Sequence, residues 1–151
     1  MQLEGILTSE RCFCKIEGYS KKRLLTKVSA LLGDLFENLD ETEVFNSMMA
    51  REHLGSTGLG NGIAIPHCRV PHCETIIGSL VTLDSPIDYD AIDDNPVDLI
   101  FVLIVPEEKK DEHVRTLAGL AQLFDNPAFC QKLRQTHDSM QLYHAAISFN
   151  D

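Results

Sequence analysis

The run VDLIFVLIVP at residues 97–106 limits the fold of this chain more than any other stretch. Nearly all of its residues are apolar and many are β-branched, which is typical of a strand. A strand with one solvated face alternates between apolar and polar residues, whereas a strand buried on both faces does not. The run therefore predicts the central strand of a sheet that has other structure packed on each face.

Two amphipathic helices are expected before this strand. Apolar residues at three- and four-residue spacings predict a helix over 21–36, with Ser20 as its N-cap. The segment DETE predicts the start of a second helix, because Asp40 and Glu43 have the spacing of a capping box. Gly55 is the expected end of that helix, since glycine is common just after a helix C-terminus.

The remaining elements are short. Strands are predicted over 63–67, where a proline stops the strand, and over 75–83. A third helix is expected from near Asp111, followed by short helices over 128–135 and 139–146. The expected buried stripe of the third helix is Val114, Leu117, Ala118, Ala121 and Phe124. Helices both before and after the strands predict an α/β sandwich with a small central sheet.

Composition limits the partners. The chain has 13 Lys and Arg against 23 Asp and Glu, a net charge of −10, which argues against nucleic acid or an anionic membrane as the main partner. No secretory signal and no apolar run of about 18 residues is present, so no membrane insertion is expected. Five cysteines in a 151-residue chain that needs no disulfide are expected to be reduced thiols in a cytoplasmic protein.

Two His-Cys pairs, His67-Cys68 and His72-Cys73, raise the question of a metal or a cysteine nucleophile. Zinc binds nitrogen and sulfur, but adjacent residues of a strand point to opposite faces, and no second pair follows at zinc-finger spacing. Nothing in the sequence places a base or a helix N-terminus beside either thiol. Neither site is therefore favoured, and the two thiols are expected to be small, partly buried side chains.

The segment GSTGLGNG at residues 55–62 holds four glycines in eight residues. It matches neither of the common nucleotide-binding glycine patterns, so no nucleotide site is expected. Backbone N–H groups and hydroxyls of such a loop could hold phosphate oxygens, and a plain flexible loop is the alternative. The candidate phosphate-binding residues are Ser56, Thr57, Gly58, Gly60 and Asn61.

Three side chains suit phosphoryl transfer through a phosphorylated histidine. His67 follows a proline at the end of the strand that leaves the glycine loop. Arg51 precedes the loop and can hold phosphate oxygens, and His113 lies in the first turn of the third helix. Such a reaction depends on positioning and charge stabilisation, so it needs no metal and no cofactor.

The segments around these residues resemble a known family. REHLGSTGLGNGIAIPH (51–67) closely resembles the active-site segment of enzyme IIA of the bacterial phosphotransferase system, in the mannitol/fructose/nitrogen-regulatory class. The similarity continues over 85–106 and 112–124, and SKKRLL (20–25) is most similar to the nitrogen-regulatory subtype. The resemblance implies one EIIA type-2 domain over 1–151, an α/β fold in which a small mixed sheet is flanked by helices on both faces.

The resemblance also implies roles. His67 is expected to accept a phosphoryl group from an HPr-type phosphocarrier protein, with Arg51 and His113 stabilising the phosphate. The implied function is regulatory: phosphorylation-dependent binding of target proteins such as transporters or sensor kinases. The alternative is a sugar-specific component that passes phosphate to a IIB domain for fructose or mannitol uptake. A homodimer is compatible with both.

One residue departs from the family pattern. The family usually has glycine after the active histidine, where this chain has Cys68. A thiol at this position is expected to narrow the pocket or to add redox sensitivity. Leu59 in the glycine loop is expected either to contribute to a docking face around the active site or to fill the core of the loop.

Overall fold

A computed structural model describes residues 1–108 and 110–149. The predicted central strand is present as β6, Val97–Pro106, and every residue of it is buried except the half-buried Asp98. Alternate side chains contribute to two separate hydrophobic cores. Leu99, Phe101, Leu103 and Val105 lie in one core, and Ile100, Val102 and Ile104 lie in the other. The absence of polar alternation in this run is therefore explained by burial on both faces.

The sheet is mixed and, in the described residues, has six strands. The first two in chain order are β1, Cys12–Ile16, and β2, Gly58–Gly60. The remaining three are β3, Ile63–Ala64, β4, His67–Val70, and β5, Ile77–Ile87. The order is β1-β5-β6-β3-β2, with β4 also paired to β6. β5 runs antiparallel to β6, whereas β3 and β4 run parallel to it and share its other side.

Two helices cover one face of the sheet: α1, Lys21–Leu35, and α2, Glu41–His53. The predicted caps are confirmed. The Ser20 hydroxyl accepts from the backbone N–H of Arg23 at 3.2 Å, and Asp40 accepts from Thr42 and Glu43. These bonds satisfy N–H groups that lack partners in the first turn of a helix.

Three helices cover the other face: α3, Lys110–Phe124, α4, Pro127–Arg134, and α5, Ser139–Ile147. Their core contains aromatic rings packed edge to face, with the centroids of Phe124 and Phe129 5.3 Å apart and the ring planes inclined at 70°. Helices on both faces of a mixed sheet confirm the expected fold class. No helix in the described residues is long and apolar enough to cross a membrane.

The expected buried stripe of α3 is partly wrong. Val114, Ala118 and Ala121 are exposed, whereas Leu120 and Phe124 are buried. The reason is that Val114, Ala118 and Ala121 share one face of the helix, which points away from the core, whereas Leu117, Leu120 and Phe124 lie on the neighbouring face that packs on it. Amphipathic spacing does not distinguish these two environments.

Two strand predictions also need correction. The segment 55–62 is not only a loop, because Gly58 pairs with Ala64 in a short antiparallel ladder. The strand expected to stop at Pro66 resumes at once as β4. Pro66 has no N–H to donate, but its carbonyl accepts from Leu103 N–H at 3.0 Å, so the proline sits at a break between two segments of one sheet edge. β1 was not predicted at all.

Candidate functional site

His67 is the first residue of β4 and is half-buried. Its ring nitrogen Nδ1 lies 2.8 Å from the carbonyl oxygen of Ile65. Because a carbonyl oxygen can only accept, Nδ1 must carry the proton and donate it. In the neutral imidazole the other nitrogen, Nε2, then has a free lone pair. The fold therefore selects one tautomer of His67 and one nucleophilic nitrogen.

His67 lies in an open cavity of about 690 Å³ between α2, β4 and the start of α3. The cavity brings together the three side chains predicted for phosphoryl transfer, His67, Arg51 and His113. Leu54, which is 84% exposed, and Val114, which is 64% exposed, also line it. The carboxylate of Glu107 lines the cavity as well, so the arginine and the two imidazoles share it with one acidic group. Exposed apolar side chains beside an arginine suit an anionic group presented by another protein.

His113 lies in the first turn of α3, edge-on to His67. The two ring centroids are 5.4 Å apart and the ring planes are inclined at 65°. Nδ1 of His113 is buried and has no hydrogen-bond partner within residues 1–108 and 110–149. A buried polar atom without a partner is uncommon in proteins and is typical of functional sites.

Arg51 lies in the last turn of α2. Its Nη1 donates to the carbonyl oxygen of Gly55 at 2.8 Å, just after the helix ends. This bond restrains the guanidinium, which has further N–H donors that can meet phosphate oxygens. The Gly55 carbonyl, just beyond the end of α2, thus restrains the orientation of the Arg51 guanidinium.

Burial lowers the pKa of His67, because a charged imidazole loses solvation in the protein. The hydrogen bond to the Ile65 carbonyl opposes this shift, while the Arg51 guanidinium adds to it. The pKa of His113 is also lowered, first by burial and then by His67 and Arg69. Both imidazoles are therefore neutral near pH 7, the state that a nucleophilic histidine needs.

The hydroxyl and amide groups of the glycine loop have internal partners. Thr57 donates its N–H to the Glu52 carboxylate at 3.0 Å and its hydroxyl to the other oxygen of the same carboxylate. The Ser56 hydroxyl donates to the Tyr89 carbonyl at 3.0 Å and accepts from Gly58 N–H at 3.1 Å. These groups hold the loop to the protein interior.

Asn61 and Gly60 lie at the far end of the same loop. Asn61 donates its N–H to Asp93 at 2.9 Å, and Gly60 has a φ of +103° beside the Asp93 carboxylate. Among the described residues that line the cavity of His67, none comes from segment 56–61. The predicted role of the loop in binding phosphate therefore has no geometric support and stays a prediction. Leu59 is 43% exposed, also outside that cavity.

Cys68 is buried in the core beneath α2, and it also lines the cavity of His67. Burial raises the pKa of its thiol to about 12, and burial also raises the pKa of Cys73. Both therefore remain thiols at neutral pH, which argues against a cysteine nucleophile. Within the described part of the chain, no group of three or more His, Cys, Asp and Glu side chains could hold a metal ion.

Arg69 is a cavity residue that the sequence reasoning missed. It lies two residues beyond His67 in β4, so the two side chains are on the same face of the strand. The Ser47 hydroxyl donates to its carbonyl oxygen at 3.1 Å and ties α2 to this exposed edge. The spacing of two residues would have identified Arg69 if the strand had been expected to continue beyond Pro66.

Comparison with known proteins gives consistent results. The profile of the family described as "Phosphoenolpyruvate-dependent sugar phosphotransferase system, EIIA 2" matches residues 5–148. A nitrogen regulatory protein of Pseudomonas aeruginosa is 42% identical over 147 residues, which are 97% of this chain and 96% of that protein. The counterpart from Escherichia coli K12 is 38% identical over 145 residues, 95% of this chain and 88% of that one.

Two solved structures share the fold. The nitrogen regulatory protein IIA-Ntr from Neisseria meningitidis superposes with a TM-score of 0.88 at 35% identity, covering 96% of this chain and 99% of that one. Enzyme IIA for mannitol from E. coli, solved in complex with phosphorylated enzyme IIB, gives 0.76 at 17% identity, covering 93% and 96%. The second likeness concerns the fold alone.

Proposed function

This chain belongs to the phosphotransferase system EIIA type-2 family, and from that premise we propose that it is a phosphohistidine carrier with a regulatory role. In this proposal an HPr-type phosphocarrier delivers a phosphoryl group to His67, and residues 1–151 act as one EIIA domain. The phosphorylation state of His67 then controls the binding of target proteins.

One observation carries the proposal: the hydrogen bond from Nδ1 of His67 to the Ile65 carbonyl, in a cavity shared with Arg51 and His113. The Nε2 lone pair attacks the phosphorus of the donor phosphohistidine and forms a new N–P bond. The donor phosphohistidine reacts with its other ring nitrogen protonated, so when its N–P bond breaks the electron pair stays on a neutral donor imidazole. His67 keeps its proton on Nδ1 and becomes a phosphorylated imidazolium, and the Ile65 carbonyl continues to accept the Nδ1–H hydrogen bond.

Arg51 and His113 stabilise the transferred group in this proposal. The three outer phosphoryl oxygens carry the negative charge during transfer, and positioned donors around them lower the barrier. The guanidinium of Arg51 and an imidazole N–H of His113 supply such donors. Arg69 adds a second guanidinium at the same cavity. In this proposal no metal or cofactor takes part, and Gly55 at the start of the glycine loop holds the Arg51 guanidinium.

One observation favours the regulatory role over the sugar-specific alternative. The relatives named nitrogen regulatory protein are 42% and 38% identical over nearly the whole chain, whereas the mannitol enzyme is 17% identical and shares the fold alone. That mannitol enzyme is solved in complex with phosphorylated IIB, a partner of the kind that the sugar-specific alternative requires. We place the reaction in the cytoplasm, consistent with five free cysteines.

The test combines mass and chemistry. The chain is incubated with phosphoenolpyruvate, enzyme I and an HPr-type carrier, and its intact mass is measured. We expect an acid-labile gain of roughly 80 Da, which nitrogen-15 NMR locates on Nε2 of His67. A chain without the gain, or with the phosphoryl group on another residue, contradicts the proposal.

The regulatory part has its own test. Pull-downs from cell extract compare His67→Asp, which imitates added negative charge, with His67→Ala. We expect the two variants to retain different proteins, because a charge at this position changes the docking surface. Identical sets of partners contradict the regulatory role, and phosphoryl donation to a IIB domain supports the sugar-specific alternative instead.

A further inference from the structure

A buried carboxylate next to Arg51 has no part in the mechanism above. The side chain of Glu52 is 3% exposed, and its Oε1 lies 2.7 Å from Nζ of Lys21 at the start of α1. It also accepts both hydrogen bonds that Thr57 donates. The Tyr89 hydroxyl contacts the Thr57 hydroxyl at 3.2 Å. Burying a charged group is costly, so such a network is retained where it fixes one conformation.

Thr57 passes this restraint to the strand that leads to His67. Its carbonyl oxygen accepts from the N–H of Ile65 at 3.1 Å. β3 ends at Ala64 and β4 begins at His67, so Ile65 lies at the break in the sheet edge, outside the ladder with β6. At that break, the N–H of Ile65 forms its hydrogen bond with the Thr57 carbonyl, which lies on the far side of the glycine loop.

The same peptide segment holds the reactive imidazole. The Ile65 carbonyl oxygen is the acceptor for Nδ1 of His67 at 2.8 Å. Three hydrogen-bonded steps therefore connect the buried carboxylate to the His67 ring: Glu52 to Thr57, Thr57 to Ile65, and Ile65 to His67. Arg51, the neighbour of Glu52, holds the same loop through Gly55. The last turn of α2 thus supports both the nucleophile and the phosphate-binding cation.

We propose that Glu52 is a positioning residue for phosphoryl transfer, acting through Thr57 and Ile65 to hold the His67 ring with Nε2 unprotonated and directed at the donor. The inference rests on the proposed function, since it assigns Nε2 as the acceptor. Glu52 acts at a distance from the phosphoryl group. Its removal slows transfer by loosening the ring and letting the other tautomer, with the proton on Nε2, become populated.

The experiment uses variants of the full chain. Glu52→Gln removes the charge and one acceptor, and Thr57→Val removes only the hydroxyl, while Thr57→Ser keeps both donors. Val28→Ala is a matched control, because Val28 is fully buried in the core beneath α1 and makes none of these hydrogen bonds. If Glu52→Gln fails to fold, the pair at Thr57 still tests the proposal.

Two measurements are made on each variant. Nitrogen-15 NMR of the unphosphorylated protein gives the tautomer of His67, and single-turnover mixing with the phosphorylated carrier gives the transfer rate. We expect Glu52→Gln to slow transfer about tenfold and to raise the fraction with Nε2–H, since small misplacements of a reacting group are costly. Thr57→Val has a smaller effect in the same direction. Thr57→Ser and Val28→Ala match the wild type.

The outcomes separate this inference from the proposed function. Wild-type tautomer and rate in both Glu52→Gln and Thr57→Val overturn the positioning role, as does an equal loss of rate in Val28→Ala. A wild-type protein that accepts no phosphoryl group refutes the proposed function, whatever the tautomer shows. A tautomer that shifts in the variants supports the hydrogen-bonded path without depending on any phosphoryl donor.

Discussion

Two copies of the same dipeptide, His67-Cys68 and His72-Cys73, lie five residues apart and have different surroundings. The cysteines are alike, since both are buried in the same core and neither has a lowered thiol pKa. The histidines differ. His67 points into the cavity with Nδ1 bonded to Ile65, whereas His72 is exposed in a turn with a φ of +65°.

The difference shows that a reactive histidine is defined by what holds its ring and what charges face it. The surroundings of His67 include a carbonyl acceptor, an arginine and a second imidazole. His72 is held through its backbone, because its carbonyl oxygen accepts from the side-chain amide of Asn38 at 2.7 Å. The following predictions test this contrast, beginning with the largest effect.

Replacing the two histidines in turn should give opposite results. His67→Ala should lose the phosphoryl adduct completely, because the His67 ring is held by the Ile65 carbonyl with its Nε2 lone pair free. His72→Ala should be phosphorylated at the wild-type rate. Intact mass with the carrier system measures both. Any loss of adduct in His72→Ala, or its retention in His67→Ala, removes the contrast.

Arg51→Ala should slow transfer roughly 100-fold, the usual loss for one donor to a developing anion. Arg51→Lys should recover only part of the rate, because an ammonium group cannot reproduce the forked donors of a guanidinium. Single-turnover mixing with the phosphorylated carrier measures both. Arg23→Ala is the matched control, since Arg23 stacks on exposed Tyr19 away from the cavity. Equal rates for the alanine variants at 51 and 23 contradict the assignment.

Stability should fall as pH is lowered below about 6.5, the ordinary pKa of histidine. The lowered pKa values of His67 and His113 mean that the unfolded chain binds more protons than the folded one in this range. The free energy of unfolding therefore rises with pH there, by up to about 1.4 kcal/mol per pH unit for each proton. Urea unfolding at several pH values measures the slope.

The control for this pH effect is the double variant His67→Gln/His113→Gln. It lacks both imidazoles, so its stability should depend less on pH between the folded pKa values and 6.5. An equally steep dependence in the double variant shows that other groups cause the loss. The transfer rate of the wild type should begin to fall at a pH below the ordinary histidine pKa of about 6.5, since burial lowers the pKa of His67.

The two cysteines should respond alike. Cys68→Ala and Cys73→Ala each remove a small buried group, so each should lower the free energy of unfolding by about 1 kcal/mol. Transfer rates should stay within about twofold of the wild type, because neither thiol is ionised. Denaturant unfolding and single-turnover mixing measure these effects. A large loss of transfer in Cys68→Ala alone indicates that the thiol shapes the cavity, as the departure from the family glycine suggested.

Features that depend on local pattern could be predicted from the sequence. The apolar run of β6, the caps at Ser20 and Asp40, and the position of His67 after a proline are all of this kind. Features that depend on distant contacts could not. The exposure of Val114, Ala118 and Ala121 depends on which face of α3 packs on the core.

The missed residues show the same limit. Arg69 joins the cavity because β4 continues beyond Pro66, and that continuation depends on pairing with β6 rather than on local sequence. A glutamate in the last turn of a helix is usually exposed, so the local sequence does not indicate that Glu52 is buried. Its carboxylate is buried against Lys21, which lies 31 positions earlier in the chain. The role of the glycine loop in binding phosphate stays a prediction, although the N–H groups of Thr57 and Asn61 donate to Glu52 and Asp93 in this structure.

The register of β4 with β6 has a kinetic consequence. His67 is paired with Leu103 of the central strand, so the backbone of the acceptor residue is anchored to a strand that is buried on both faces, and its ring is held by the Ile65 carbonyl. Transfer then waits on diffusion and rotation of the donor protein rather than on closure of a lid. Because two arginines line the cavity of a chain with net charge −10, the ionic-strength dependence of the bimolecular rate constant reports the charge on the donor's docking face.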